Sequence, residues 1–264
     1  MLKEVKRIRG ELKRIGCRKL YHMLKPQLVD LGYKIGRDKF FCILRSNKLL
    51  VRKRSKVPKT TYSRHRYIPH ENLLKDFTPQ QPKEAVVADI TYIKTRGGFA
   101  YLFLVTDYFS RCIVGYHLSR SLSHEGAIQA VTSMLTTYGT FRNAIHHTDR
   151  GGQYCCHKFI QFLERAGIKP SHTDNDHAAQ NAIAERVNGI LKDEFFLDLE
   201  FLSFDRAKRE VAKAIRLYNN KRIHYSLGLR TPANKFFTAL PKEYQELTWF
   251  TNLFTEPTAT VNII

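Results

Sequence analysis

Three carboxylates, Asp89, Asp149 and Glu185, have types and positions that suit metal-assisted chemistry. Asp89 interrupts the apolar run AVVADITYI, where an ionised side chain is costly unless it is paired or binds a cation. Asp149 ends the segment NAIHHTD, at the exit of a predicted strand, where open α/β sheets gather ligand-binding groups. Carboxylate oxygens are the ligands that Mg²⁺ prefers. The set, with 59 and then 35 intervening residues, therefore indicates a metal site.

Each carboxylate also has an ordinary structural interpretation. Asp89 could pair with one of the many Lys and Arg side chains, and Asp149 could cap a turn. Glu185 could belong to a solvated helix face. The combination of a central strand, a strand end and a helix favours the metal site over these separate explanations.

Glu185 lies in a predicted helix, NAIAERVNGILKDEFF, whose periodicity defines two faces. At 100° per residue, the residues within roughly 60° of Glu185 are Asn181, Asn188, Gly189 and Lys192. The apolar residues of the far side are Ile183, Val187, Ile190 and Leu191. We expect the helix to pack by its apolar face and to present Asn181, Glu185 and Lys192 together on the other.

The elements that must position these residues alternate between strand and helix patterns. Three strand segments form a meander over residues 85–119, and a helix opened by Ser123 follows. A short strand, a helix ending at Gly167, another strand and the Glu185 helix complete the order β-β-β-α-β-α-β-α. This order predicts an α/β fold with a mixed sheet and flanking helices, and it is the order of the ribonuclease H-like fold.

The first fifty residues predict a small all-α domain. Helical periodicity covers residues 17–31 and 37–50, and Pro26 is expected to kink the first of these helices or to end it early. The break between them has glycine at both ends, which is typical of a helix-turn-helix, although a generic basic helical hairpin is the alternative. In a helix-turn-helix, Arg37 and Lys39 would begin the recognition helix.

Charge is distributed unevenly along the chain. Residues 1–84 contain 23 Lys and Arg against 7 Asp and Glu, whereas residues 85–264 contain 21 against 17. A basic excess of this size attracts polyanions. We expect four parts: a helix-turn-helix domain in 1–52, a basic, proline-containing linker in 53–79, an α/β core in 80–240 and a C-terminal tail in 241–264. The linker is expected either to be solvated or to lie along DNA and contact its phosphates.

Composition excludes several classes of protein. With 43% hydrophobic residues the chain can bury a core, which excludes a disordered chain. No run approaches the roughly 20 apolar residues of a membrane span, and the amino terminus lacks the apolar region of a secretory signal. We therefore expect a cytoplasmic protein without a membrane partner. Five cysteines without a Cys-x-x-Cys pattern argue against a structural zinc site.

Five segments of the chain resemble the integrase-type core of bacterial insertion-sequence transposases of the IS-three family, a core similar to that of retroviral integrases. They are VVADITYIKT, YLFLVTDYFSRCIVGY, HHTDRGGQY, NAIAERVNGILKDEF and YNNKRIHYSLGLRTPANKF. Their order and the 35-residue interval make the resemblance specific over about residues 80–240. The first fifty residues also resemble the helix-turn-helix that precedes that core. The chain departs from many relatives in having Val86 and Val87 in place of a tryptophan, and Gln180 in place of an acidic residue.

The resemblance implies a transposase that nicks DNA at element ends and joins the freed 3′-hydroxyl to another phosphodiester. Asp89, Asp149 and Glu185 would be its catalytic triad and would hold two Mg²⁺ ions, for which Mn²⁺ could substitute. Two such ions, roughly 4 Å apart, neutralise the attacking and leaving oxygens. We expect Asp89 to bridge both ions, Asp149 to bind one and Glu185 the other, and Lys192 to hold a phosphate.

The expected partner is double-stranded DNA, both the element ends and the target. The candidate DNA contacts are Arg37, Lys39, Asn181, Lys192, Arg222 and His224. The last two belong to a segment of aromatic and basic groups suited to stacking and phosphate contact, for which a packed helix end is the alternative. The resemblance also implies a homo-oligomer associated with the nucleoid, and a second-frame product that works with an upstream-frame protein or as a fusion with it.

Two other functions are compatible with the residues. A ribonuclease H-like nuclease would hydrolyse DNA without joining it, and a catalytically inactive remnant would act as a DNA-binding repressor. Some neighbours of the triad have simpler roles: Asp107 is expected to cap a turn with Ser110, and His146 and His147 suit packing as well as a place near the site. Asp174 and Asp176 belong to a loop expected to order on DNA.

Overall fold

The structure, a computed structural model, describes residues 1–51, 67–174 and 181–240. The N-terminal helices are α1 (Leu2–Glu11), α2 (Cys17–Asp30) and α3 (Arg37–Ser46). The strands are β1 (Ala85–Thr95), β2 (Gly98–Asp107), β3 (Ile113–Ser119), β4 (Ile145–Thr148) and β5 (Lys169–His172). The remaining helices are α4 (His124–Tyr138), α5 (Gly152–Cys155), α6 (His157–Arg165), α7 (Ala182–Glu194), α8 (Phe204–Asn220) and α9 (Pro232–Thr238).

The strands form one five-stranded mixed sheet in the order β3-β2-β1-β4-β5. β1, β2 and β3 pair antiparallel as a meander, whereas β4 pairs in parallel with β1, and β5 in parallel with β4. Parallel neighbours need a crossover, and α4 and α6 supply the two crossovers. The predicted mixed sheet of the ribonuclease H-like fold is confirmed.

Both faces of the sheet are covered by helices. On one face, Val86 and Ala88 of β1 pack with α4 and α6. On the other, Ile93 of β1 and Leu102 of β2 pack with α7 and α8. A strand that is buried on both faces has apolar residues at nearly every position, as in the run AVVADITYI. A polar residue in the middle of β1 therefore lies under a helix.

Two glycines allow α4 to lie directly on the sheet. A Cβ at Gly115 of β3 would overlap the carbonyl oxygen of Ala130, and a Cβ at Gly126 of α4 would overlap the Phe103 ring. Side chains at these positions would force α4 away from β2 and β3, and would open the core that supports β1.

Asp107 closes the corner between β2 and β3. Its buried carboxylate accepts hydrogen bonds from the backbone N–H groups of Lys83 at 2.9 Å and Ser110 at 2.8 Å. Burial raises the pKa of Asp107 to about 6, although these hydrogen bonds oppose the shift. The arrangement supports the structural interpretation of Asp107 and Ser110.

The N-terminal helices enclose an apolar core of their own, and α2 and α3 form the predicted helix pair around a turn at residues 31–36. α1, which the sequence did not distinguish, packs its buried Val5 and Ile8 into this core. Pro26 was expected to kink α2 or to end it early, and the second alternative is wrong, because α2 continues to Asp30. Pro26 faces solvent between two buried leucines that hold the helix in place, Leu24 and Leu28.

The second half of the predicted linker contacts the core. The backbone N–H of His70 donates to His172 Nδ1 at 2.9 Å, and that of Leu73 donates to Ser171 Oγ at 2.9 Å. Both acceptors are side-chain atoms of β5, an edge strand of the sheet. This part of the predicted linker is therefore packed against the core.

Some of the predicted segments fall outside the described residues. They are residues 53–66 of the linker, the loop at 175–180 with Asp176, and the tail at 241–264. Among the helices that are described, none has both the length and the apolar character required to cross a membrane.

Candidate active site

The sheet brings Asp89 and Asp149 side by side. β1 and β4 pair in parallel, with Val87 opposite His147. Asp89 comes two residues further along β1, and Asp149 comes two residues after His147, directly beyond the end of β4. Residues in register on adjacent parallel strands point to the same face, about 4.8 Å apart along the hydrogen-bonding direction. Strand pairing therefore unites two carboxylates that are distant in the chain.

The Asp89 carboxylate is oriented by two hydrogen bonds. Its Oδ1 accepts from the backbone N–H of Ile90 at 2.9 Å, and its Oδ2 accepts from Asn188 Nδ2 at 2.7 Å. The first contact is local to β1, and the second comes from α7. Hydrogen bonds to a carboxylate are stronger than those between neutral groups, so both contacts hold the side chain in this orientation.

α7 is attached to β1 on both sides of Glu185. Asn181, at the N-terminus of the helix, donates from Nδ2 to the carbonyl of Ala88 at 3.1 Å, while Asn188 binds Asp89. Positions 181, 185 and 188 share one helix face, because they are spaced four and three residues apart. Glu185 therefore lies between two anchors to the strand that carries Asp89.

This attachment corrects the prediction for Asn181. We expected the polar face of α7 to be exposed, and Asn181 to contact DNA. Instead only 4% of Asn181 is exposed, and its amide binds the strand backbone. A polar side chain can be buried when it forms a hydrogen bond with a backbone group that would otherwise have no partner. Glu185 and Lys192 are half-buried on the same helix.

The loop after β4 fixes Asp149. The backbone N–H of Gly151 donates to Asp149 Oδ1 at 3.0 Å, and Arg150 Nε donates to the carbonyl of Thr173 at 2.6 Å. The Cβ of any larger residue at position 151 would lie 3.1 Å from Asp149 Oδ1. Gly151 therefore leaves room for this orientation of the carboxylate.

Neutral groups line the floor beneath the two aspartates. Burial, followed by the negative charges of Asp89 and Asp149, raises the pKa of Tyr154 well above its usual value. Burial and then Asp149 raise the pKa of Cys155 to about 12. Both groups stay protonated at neutral pH, so the floor adds no negative charge to the site.

Three buried histidines lie in β4 and β5, the strands that lead to the site. His146 is 1% exposed and packs against the rings of Tyr154 and Phe159. Burial lowers its pKa to about 3, and lowers those of His147 and His172 to about 4. The Nδ1 of His147 is 2.9 Å from Ser171 Oγ. The histidines are therefore neutral, and the packing interpretation of His146 and His147 is supported.

The donors present have the chemistry that Mg²⁺ requires. Asp89 and Asp149 offer carboxylate oxygens on one face of the sheet, and the buried Oδ1 atoms of Asn181 and Asn188 have no hydrogen-bond partner among the described residues. Within the same residues, no three His, Cys, Asp or Glu side chains converge closely enough to hold one ion. The carboxylates of Asp89 and Asp149 are therefore suited to bind one ion together.

Arg37 and Lys39 are exposed at the start of α3, as expected for a recognition helix. Arg37 Nε donates to Asp38 Oδ1 at 2.9 Å. A groove of about 400 Å³ runs beside this end of α3, lined by Arg18, Arg37, Asp38, Phe41, Cys42 and Arg45. Its basic side chains are suited to phosphate contact.

The prediction that Arg222 and His224 contact DNA is wrong. Arg222 is 1% exposed and donates to both carboxylate oxygens of Glu194, at 2.8 and 2.5 Å. Its Nη1 is 2.8 Å from His224 Nε2. Burial, followed by the charge of Arg222, lowers the pKa of His224 to about 2, so the ring is a neutral acceptor. The packed helix end, the alternative interpretation, describes this segment.

Sequence reasoning missed Asn188 as a positioning residue and Tyr154 as a neighbour of the aspartates. Asn188 was placed on the Glu185 face without a role, although an amide three residues after a carboxylate lies beside it on a helix. Tyr154 gave a weaker signal, because only the fold of the loop after Asp149 brings its ring under the site.

Comparison with known proteins agrees with this geometry. Two family models, both described as Integrase core domain, match residues 79–178 and 166–232. The "uncharacterized 31 kDa protein" of insertion element IS600 from Shigella sonnei is 31% identical over 212 residues, which cover 80% of this chain and 78% of that protein. Transposase InsF for insertion sequence IS3A from Escherichia coli is 31% identical over 221 residues, which cover 83% of this chain and 75% of that protein.

A solved structure also shares the fold. The catalytic core domain of HTLV-2 integrase, solved in complex with magnesium, has a TM-score of 0.50 and 19% identity, and covers 60% of this chain and 99% of that chain. The matched integrase core models span the strands and helices that carry Asp89, Asp149 and Glu185. Since the chain is also 31% identical to InsF over most of both proteins, it belongs to the IS-three family of insertion-sequence transposases, which carry out DNA transposition with an integrase core domain.

Proposed function

We propose that this transposase nicks DNA at element ends and transfers the freed 3′-hydroxyl to target DNA in a reaction that depends on Mg²⁺. The observation that carries the proposal is the parallel register that places Asp89 beside Asp149 under the helix of Glu185. Asp89, Asp149 and Glu185 would hold the two ions, and Mn²⁺ could substitute. When bound, the ions would neutralise charge on the attacking and leaving oxygens of the phosphodiester.

The other residues orient these ligands and the DNA. Asn188 and the Ile90 N–H hold the Asp89 carboxylate, and the Gly151 N–H holds that of Asp149. Lys192 lies two helical turns from Glu185 on the same side of α7, where its ammonium group would bind a phosphate as a point charge. Arg37 and Lys39 would contact the element ends through the helix-turn-helix.

The neutral floor suits this role. Tyr154 and Cys155 are kept protonated by burial and by the aspartates, so the negative charge of the site is limited to the carboxylates themselves. A substrate phosphate would otherwise meet additional repulsion. The partners we propose are double-stranded DNA, further copies of the chain, and an upstream-frame protein or fusion that helps to recognise the ends.

The test is a strand-transfer assay with purified protein, Mg²⁺ and a duplex that carries the element ends with a labelled 3′-hydroxyl. We expect nicks and joints with the wild type, and neither with Asp89→Asn, Asp149→Asn or Glu185→Gln. Asp205→Asn, at an exposed position of α8, makes the same change away from the site and is expected to retain activity. Electrophoretic mobility shifts with the same duplex measure whether each variant still binds DNA.

The outcomes separate this proposal from its rivals. Triad variants that bind DNA and still nick and join would refute the assigned residues. Hydrolysis without joints by the wild type would instead favour a nuclease. If the wild type neither nicks nor joins, and calorimetry detects no Mg²⁺ or Mn²⁺ binding that depends on Asp89, the inactive DNA-binding remnant is favoured.

A further inference from the structure

The C-terminal end of α7 contacts the N-terminal helical domain through complementary charges. Arg14 Nη2 is 3.2 Å from Asp193 Oδ1, and Lys19 Nζ is 3.8 Å from Glu194 Oε1. The cations belong to the helical domain and the carboxylates to the core. Some of the basic side chains in the first 84 residues therefore pair with carboxylates of the core instead of contacting DNA.

Glu194 is shared between the two parts of the chain. From the core, Arg222 binds both of its oxygens and is itself buried. From the helical domain, Lys19 reaches the same carboxylate, and only 14% of its side chain is exposed. Burial and then the charge of Arg222 lower the pKa of Lys19 to about 8. A side chain this buried is part of a packed interface.

Apolar contacts surround this charged centre. Leu217 of α8 is 6% exposed and belongs to the apolar core of the helical domain, and Phe195 packs against the same core. The Lys13 ammonium lies 5.7 Å, and the Arg14 guanidinium 5.9 Å, from the centre of the Phe196 ring. These cation–π distances are in the range that contributes to binding.

An aromatic contact extends the interface beyond Glu194. Arg18 lies 5.8 Å from the centre of the Tyr225 ring, and the His22 ring contacts the same tyrosine at 6.0 Å with an interplanar angle of 83°. Tyr225 belongs to the YNNKRIHYSL segment, whose Arg222 and His224 are buried. This segment, in which we expected DNA contacts, therefore faces the helical domain.

We propose that this surface of the core is a docking platform for the N-terminal helical domain of the same chain. The docking platform consists of the Asp193–Phe196 segment, Leu217, Arg222 and Tyr225. It binds the connection between α1 and α2 and one face of α2, and it leaves Arg37 and Lys39 of α3 exposed. Because α7 carries Glu185 and its C-terminal end is part of the platform, docking sets the position of the DNA-reading helix relative to the catalytic carboxylates.

The test is native cleavage of the full chain. A site for a specific protease is inserted between residues 52 and 66, the folded protein is cut, and the products are analysed by size-exclusion chromatography. We expect the helical fragment to co-elute with the core. Lys19→Glu places a negative charge against Glu194, and Arg14→Glu places one against Asp193, so each variant is expected to release the fragment.

Two further variants separate docking from folding. Arg14→Glu combined with Asp193→Arg restores opposite charges and is expected to restore co-elution. Lys25→Glu makes the same change as Lys19→Glu at an exposed position of α2 and is expected to co-elute as the wild type does. Separation of the wild-type fragments, or co-elution of Lys19→Glu and Arg14→Glu at wild-type levels, would overturn the platform.

A second measurement concerns coupling to the site, and it rests on the proposed function. Lys19→Glu in the intact chain leaves α3 unchanged, so its affinity for element-end DNA should stay within about twofold of that of the wild type. The rate of joining should fall at least about tenfold, which corresponds to a barrier increase of about 1.4 kcal/mol. Wild-type joining by this variant would overturn the coupling. Absence of joining by the wild type would count against the proposed function, while the fragment assay still tests the platform.

Discussion

Asn188 Nδ2 donates a hydrogen bond to Asp89 Oδ2 at 2.7 Å, so the helix that carries Glu185 is tied directly to the first aspartate. Asn188 is 6% exposed, and its partner is a carboxylate in the middle of a strand. Together with the bond from Asn181 to Ala88, this contact links the positions of two proposed metal ligands. It also gives the half-buried carboxylate of Asp89 a hydrogen-bond partner under α7.

Replacing Asn188 with alanine should weaken both the fold and the chemistry. A hydrogen bond to a charged group contributes about 1.5–3 kcal/mol, so the free energy of unfolding measured in urea should fall by about that amount. Joining of labelled ends should fall about tenfold or more at saturating Mg²⁺, under conditions where the variant is folded. Asn220→Ala, at the end of α8, is the matched control. An Asn188→Ala variant that joins ends as well as this control would contradict the positioning role.

Gly151→Ala should impair the site without unfolding the protein. Gly151 has φ −63° and ψ 138°, which alanine adopts readily, but its Cβ would lie 3.1 Å from Asp149 Oδ1 and 3.3 Å from Gln153 Oε1. The carboxylate must therefore move by a few tenths of an ångström. We expect a lower joining rate with a melting temperature close to that of the wild type. Gly10→Ala, where a Cβ meets nothing within 4 Å, should keep the wild-type rate, and a normal rate in Gly151→Ala would contradict the prediction.

The buried histidines should make the fold sensitive to acid. At pH above about 6.5 the His146 ring is neutral in both folded and unfolded chains. Below that pH the unfolded chain binds a proton that the folded chain does not accept until about pH 3. The free energy of unfolding therefore falls as the pH falls through this window, by about 1.4 kcal/mol per pH unit for each such group.

Urea unfolding of His146→Leu between pH 6 and pH 4 tests this contribution. The apolar side chain retains the packing against Tyr154 and Phe159, and removes one titrating group. The slope of stability against pH should fall by about 1.4 kcal/mol per unit relative to wild type. His157→Gln, at an exposed position, removes a histidine away from this core and is the matched control. Identical slopes for His146→Leu and wild type would show that His146 is protonated in the folded chain.

Arg222→Met should destabilise the protein and affect DNA binding only through folding. The substitution leaves the Glu194 carboxylate without its bidentate partner, and breaking a buried pair in this way typically costs about 3–5 kcal/mol. Urea unfolding measures the loss, and electrophoretic shifts measure DNA affinity. Arg216→Met, at an exposed position of α8, removes the same charge and should cost far less. A stable Arg222→Met protein that had lost DNA affinity would restore the DNA contact first expected from the sequence.

The sheet and its flanking helices could be predicted because their signals are local. The apolar run around Asp89 indicates a strand buried on both faces, and the structure has it as β1 in the centre of the sheet. The periodicity of α7 placed Val187 and Leu191 correctly in the core. α1 was not distinguished because only Val5 and Ile8 mark its buried face, which is too few to define a helical period.

The roles of Arg222 and Asn181 could not be predicted, because they depend on partners far away in the sequence. Composition predicts a DNA contact at Arg222, yet its partner Glu194 lies at the end of another helix. Periodicity predicts that Asn181 is exposed, yet it binds the backbone of β1. A sequence pattern gives the face of a helix on which a side chain lies, but it does not say whether water or another element covers that face.

The parallel pairing of β1 with β4 also determines where the chain tolerates changes in length. The two aspartates meet because of strand register, and the number of residues between them has no direct influence. Extra residues in the hairpin at Arg96 and Gly97 would lengthen a surface loop and leave the register intact. Loss of a single residue between Val87 and Asp89 would turn the carboxylate to the opposite face of the sheet, away from Asn188. Insertions and deletions should therefore be tolerated in the loops. They should not be tolerated between Val87 and Asp89 or between His147 and Asp149.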